Sequence, residues 1–136
     1  MDVNRKDGEK FRTRKVESAS ATVIPAGSFV ELDAGGLAIK ATATAAKLAY
    51  CPDGKLAGET DAEVTVGNDF TVKIAGASNY AKAQRGLDYD LSVPGGVQKL
   101  NQAATTLKVL TVSSAIDGGV VGSANNIEVR IAKPIF

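Results

Sequence analysis

Four groups of residues carry enough polar chemistry to be weighed first as a reaction centre. Asp88 and Asp90 stand two apart in a stretch that alternates with Tyr89, Leu91 and Val93, so a strand would point both carboxylates to one face. Such a pair can hold calcium or act as general acid and base. Without further ligands at calcium-loop spacing, a solvated strand face is the expected reading, and Asp61 with Glu63 is read the same way. Gly118-Gly119-Val120-Val121-Gly122 has the glycines of a phosphate-cradling loop but neither its lysine nor its Ser/Thr, and is expected to be a turn. Cys51 is the single cysteine, beside the turn signal Pro52-Asp53-Gly54, and reads as a reduced thiol without a catalytic part.

The chain contains no histidine. That removes Ser-His-Asp and Cys-His arrangements and histidine-containing zinc sites, leaving only a Ser-Lys or paired-carboxylate mechanism formally open. The expectation is a protein that is not an enzyme, with no cofactor and no metal. Tyr80, Lys82 and Arg85 could form a basic aromatic patch, but stacking platforms need several aromatics on one face, and here three Tyr and four Phe are scattered along the chain. Residues 1–17 hold six basic against four acidic side chains and the remainder ten against eleven, so no basic footprint for nucleic acid dominates the domain. No run approaches the roughly 20 apolar residues that span a bilayer, and the charged start lacks a signal-peptide core. Synthesis in a cytoplasm, without membrane or direct nucleic-acid contact, is the expectation.

The elements that must position these residues read as mostly β. At 136 residues the chain suits one domain with one core. Residues 1–16 are polar and mixed in charge, an extended N-terminal arm that orders on a partner; residues 17–136 form a single β-rich domain, a small β-sandwich or β-barrel-like unit with at most short helices. Ile127, Val129 and Ile131 alternate with Glu128 and Arg130 as a half-buried strand does, and Leu107–Val112 reads as a strand buried on both faces. Gly67-Asn68-Asp69 between Glu63–Val66 and Phe70–Ile74 predicts a hairpin. Ala41–Tyr50 and Ser78–Gln84 are loop-like or short helices, with Ser78 or Asn79 as N-cap of the second.

A glycine-led strand followed by a glycine turn occurs twice. The first runs from Pro25-Ala26-Gly27 through Phe29–Leu32 to Gly35-Gly36; the second runs from Arg85-Gly86 through Asp88–Leu91 to Pro94-Gly95-Gly96. The chain closes on Ile131-Ala132-Lys133-Pro134-Ile135-Phe136, whose apolar Ile135 and Phe136 must pack on the domain or on a partner subunit.

Val23-Ile24-Pro25-Ala26-Gly27-Ser28-Phe29-Val30, Gly35-Gly36-Leu37-Ala38, Gly86-Leu87-Asp88-Tyr89-Asp90 and Gly95-Gly96-Val97 together resemble the small capsid decoration, or cement, proteins of tailed bacteriophages, over roughly residues 20–132. The resemblance implies a homotrimeric structural protein of the virion. It would sit on the outer capsid surface and bind the major capsid protein, cementing adjacent subunits against the pressure of packaged DNA. An adhesive or carbohydrate-binding β module of a phage tail or fibre is the alternative, disfavoured by the low aromatic content. On physical grounds alone, the expected partner-contact residues are Phe11, Arg12, Arg14, Lys15 and Val16 in the arm and Ile135 and Phe136 in the tail: one face of the arm packs, the other meets carboxylates.

Overall fold

The computed structural model describes residues 3–5, 12–115 and 126–136. The domain is mostly β, as the patterning predicts. Eleven strands are described: β1 (Val3–Arg5), β2 (Thr13–Glu17), β3 (Ser28–Leu32), β4 (Ala38–Lys40), β5 (Ala49–Cys51), β6 (Asp61–Thr65), β7 (Phe70–Gly76), β8 (Asp88–Ser92), β9 (Lys99–Asn101), β10 (Leu110–Ala115) and β11 (Ile127–Ile131). Among the described residues helical structure is limited to two three-residue 3-10 turns, Lys82–Gln84 and Pro94–Gly96.

Five strands close into a small barrel in the order β7-β11-β10-β8-β9, sealed by parallel pairing of Ala75 and Gly76 with Lys99 and Leu100. β1 pairs with the remaining edge of β7. Closing so few strands demands strong coiling, and the register shift between Val112 and Ser114 on β10 supplies one local bend. The interior is filled by alternate residues: Phe70, Val72 and Ile74 from β7, Leu110 and Val112 from β10, and Ile127, Val129 and Ile131 from β11 are all buried.

The other five strands form an antiparallel sheet in the order β2-β6-β5-β3-β4. Its strands β5 and β3 are buried on both faces, which period-two alternation explains. Phe29 and Tyr50 turn toward the barrel core, where Tyr50 meets the Phe29 ring edge-on at 5.8 Å and the Phe70 ring at 6.3 Å. Val30, Ala49 and Cys51 turn to the opposite face and join Val16, Ala38, Ala62 and Val64 in a second cluster of small side chains.

Both glycine-led units are true hairpins, β3–β4 and β8–β9, one in each sheet. The expected hairpin at Gly67 is not one. β6 pairs with β2 and β5, whereas β7 pairs with β1, β11 and β9, so Gly67 carries the chain from sheet to barrel. Its φ of +82° supplies the turn that Gly-Asn-Asp encodes, and burial of Phe70 in the barrel decides where the turn leads. Ala41–Tyr50 holds no helix, since Ala41, Ala45 and Leu48 plug the barrel core from an irregular segment before β5. The short helix expected over Ser78–Gln84 shrinks to Lys82–Gln84; its N-cap is Ala81, whose N–H donates to Gln84 Oε1 at 3.0 Å. Only Leu110–Val112 of the expected Leu107–Val112 strand lies in β10, with Val109, Leu110 and Val112 buried and Thr111 partly exposed.

The boundary expected after residue 16 falls inside β2. Thr13–Glu17 pair in full register with Asp61–Thr65, and Val16 is buried in the second cluster, so residues 13–16 are sheet, not a separate arm. The reason is a single buried position: Val16 gives β2 an apolar anchor opposite Ala62 that its charged neighbours conceal in the sequence.

Candidate functional site

The carboxylate pair comes apart on inspection of its partners. Asp88 Oδ1 accepts the Thr111 hydroxyl at 2.6 Å, and Asp90 is only 7 % exposed. Asp90 Oδ1 accepts the N–H groups of Leu107 at 2.8 Å and Lys108 at 2.9 Å, holding Lys108 in the left-handed region at φ +54°. The expected solvated face is therefore corrected for Asp90: it is a buried acceptor that fixes the approach to β10, consistent with the strength of bonds to a charged acceptor. Asp61 and Glu63 stay exposed, beside a cleft of about 510 Å³ that Lys15, Asp53 and Glu59 also line. Among the described residues no group of three or more acidic or thiol side chains is arranged to hold a metal. Gly118–Gly122 lie outside the described residues.

Cys51 is fully buried on β5, and burial pushes its thiol above the ordinary value, opposed by a hydrogen bond from the Gly54 backbone. Ionisation thus lags in the folded state. The associated stability is fully present below the unfolded thiol pKa and declines as pH rises toward the folded one. In the native protein a thiol reagent should label Cys51 only at the rate of unfolding, with full labelling in denaturant; labelling in seconds under native conditions would mean an open site.

Other polar side chains are likewise committed to the fold. Lys55 is 2 % exposed, and its Nζ donates to the carbonyls of Ala19 at 2.8 Å, Thr22 at 2.5 Å and Leu56 at 3.3 Å, tying the 18–24 segment to the Ile24–Lys55 bridge. Gln98 bonds Phe29 and Ala41 on the sheet, and Gln102 spans both backbone groups of Ser78. No sequence signal marks these residues, because a lone lysine or glutamine between strands is ordinarily solvated. Tyr80 packs partly against the barrel core, while Lys82 is exposed on its 3-10 turn.

The partner-contact residues fare differently. Phe11 lies outside the described residues. Arg12 is exposed just before β2, and its carbonyl accepts the Val66 N–H at 2.8 Å. Arg14 lies over the Phe136 ring, Cζ 4.3 Å from its centroid, in cation–π contact. The segment after β11 folds back on the sheet: the Leu48 carbonyl accepts the Ile135 N–H at 3.0 Å, and the Phe136 carbonyl accepts the Gly67 N–H at 3.1 Å. Ile135 and Phe136 thereby pack, half-buried, against the second cluster. Arg14, Lys15, Val16 and Phe136 meet in one groove of about 260 Å³ between β2 and the β3–β4 hairpin, completed by Glu17, Leu32 and Gly36. Ile135 lines a neighbouring hollow with Leu32 and Lys47. Val16 forms the groove floor and is not a free contact residue.

Comparison with protein-family models, curated proteins and solved structures finds no match to this chain. Among the described residues no helix is long and apolar enough to cross a membrane.

Proposed function

We propose that this chain is a structural assembly protein, a decoration protein that binds the outer surface of a tailed-phage head as a homotrimer and cements adjacent major capsid subunits. One observation carries the reading. Asp90, the best candidate for chemistry, is taken up as a buried hydrogen-bond partner within the fold, whereas among the described residues β2 presents an unshared, basic sheet edge to solvent. Assembly on a lattice suits such a surface, since many copies make modest individual affinity sufficient. Exposed Val23 and Leu56, side by side across the Ile24–Lys55 bridge, add a small apolar contact. The alternative of a glycan-binding module gains nothing from the aromatic residues: Phe29, Tyr50, Phe70 and Tyr89 are buried in the core.

The test is co-sedimentation of the purified chain with precursor and expanded heads of the phage that encodes it. Binding to expanded heads, together with a higher temperature of head disruption, is the expected result. Failure to bind either form rejects the reading.

A further inference from the structure

We propose that the outer edge of β2 is a strand-addition site for an extended acidic segment of a partner protein. The backbone geometry defines the edge. Ser18 N–H donates to Thr60 O and Val66 N–H to Arg12 O, each at 2.8 Å, and the pairs between them run in unbroken antiparallel register. Even-numbered residues therefore bond to β6, and alternation turns the N–H and C=O groups of Thr13, Lys15 and Glu17 outward. Among the described residues β6 is the sole strand paired with β2. The three outward residues are solvent-exposed.

The edge opens onto a seam of defined shape. Ser18 Oγ donates to Ala38 O at 2.7 Å, a buried bond that draws the end of β2 against β4 and closes the seam there. Alongside residues 14–17 lies the groove lined by Val16, Leu32 and Phe136. An added strand thus finds main-chain partners along β2 and apolar surface beneath, the two components of recognition by β-augmentation.

Charge selects the occupant. Residues 12–17 hold Arg12, Arg14 and Lys15 against Glu17 alone. Among the described residues no ion pair or hydrogen bond engages these three side chains, and Arg14 stacks on Phe136. Pairing of β2 with the same strand of a second copy would bring this basic run against itself. Charged edges of this kind suppress such self-association, and the same charges favour an incoming strand that carries carboxylates.

The inference deepens the assembly reading by naming the chemistry of the partner segment, yet its test needs no capsid. The probe is a ten-residue peptide alternating valine with glutamate, followed by fluorescence anisotropy against the full chain. Saturable binding is expected, at least tenfold weaker for the same peptide with lysine in place of glutamate. N-methylation of alternate peptide nitrogens should abolish it, a control that leaves the protein untouched. Lys15→Pro removes one outward N–H and no bond to β6, so it should fold and lose at least tenfold in affinity. Absence of binding, equal binding of the lysine peptide, or full binding after N-methylation overturns the proposal. If the glutamate peptide binds while heads do not, the assembly reading alone falls; if Lys15→Pro binds both as the parent does, the edge site alone falls.

Discussion

Gly54→Ala is expected to destabilise the fold by about 2–5 kcal/mol, a larger loss than that of Gly36→Ala. Gly54 has φ +71°, and a Cβ there would lie 2.4 Å from Ile24 O, 2.6 Å from Ala26 N and 2.9 Å from the Pro25 carbonyl carbon. All three are backbone atoms, and the backbone cannot yield. Ile24 and Lys55 exchange both their hydrogen bonds, at 3.0 and 2.7 Å, and Gly27 N–H donates to Cys51 O and Pro52 O at 3.0 Å each. The left-handed conformation costs about 1–2 kcal/mol for an L-residue, and overlap in a site without slack adds about 1–3 kcal/mol or more. Against a total stability of about 5–15 kcal/mol, that sum is a large fraction of the margin. Gly36→Ala is the control: φ is +78° but nothing lies within 4 Å of its Cβ, so only the conformational cost of about 1–2 kcal/mol applies. Urea unfolding followed by circular dichroism separates the two; equal losses would show that the contacts at Gly54 relax freely.

The Gly54 turn also illustrates how far the sequence was legible. Pro52-Asp53-Gly54 announces a turn by composition alone, but its tight approach to Pro25-Ala26 is a long-range contact that local pattern does not encode. Alternation placed Ile127, Val129 and Ile131 on one buried face correctly, because period two survives any topology. It misplaced Asp90, since a carboxylate beside Tyr89 and Leu91 looks solvated until the 107–108 backbone folds over it. The Gly67 signal predicts a hairpin because a positive-φ turn looks the same whether the strands it joins pair or part. In the groove, the basic residues of β2 were visible in the sequence while their neighbours were not. Phe136 reaches Arg14 only because the segment after β11 leaves the barrel and returns to the sheet.

Gln98→Leu is expected to cost about 3 kcal/mol, from hydrogen bonding and not from volume. The Gln98 carboxamide pairs with the sheet as a peptide group would: Oε1 accepts Phe29 N–H at 2.8 Å, and Nε2 donates to Phe29 O at 2.9 Å and Ala41 O at 3.1 Å. Gln98 lies two residues after the second glycine turn, and Phe29 lies in the strand of the first hairpin, so this one side chain fastens the two glycine-led units together. A leucine of similar size fills the space but strands the Phe29 N–H, whose desolvation costs about 1–3 kcal/mol, besides losing bonds worth about 1 kcal/mol each. Lys40 Nζ, which donates to Gly96 O on the exposed rim, cannot take over this role from outside.

Gln98→Glu tests the mechanism more sharply. Its carboxylate can still accept the Phe29 N–H but directs a second charged oxygen at two carbonyls in a site only 8 % exposed. Protonation restores a donor toward Phe29 O. The folded variant therefore binds its proton more tightly than the unfolded chain, so its stability is fully present at acid pH and is lost as pH rises through the folded pKa. The parent lacks this group and should show no corresponding loss across the same interval. A variant whose stability relative to the parent does not change with pH would mean that the second oxygen finds another donor and that Phe29 N–H alone makes the clamp.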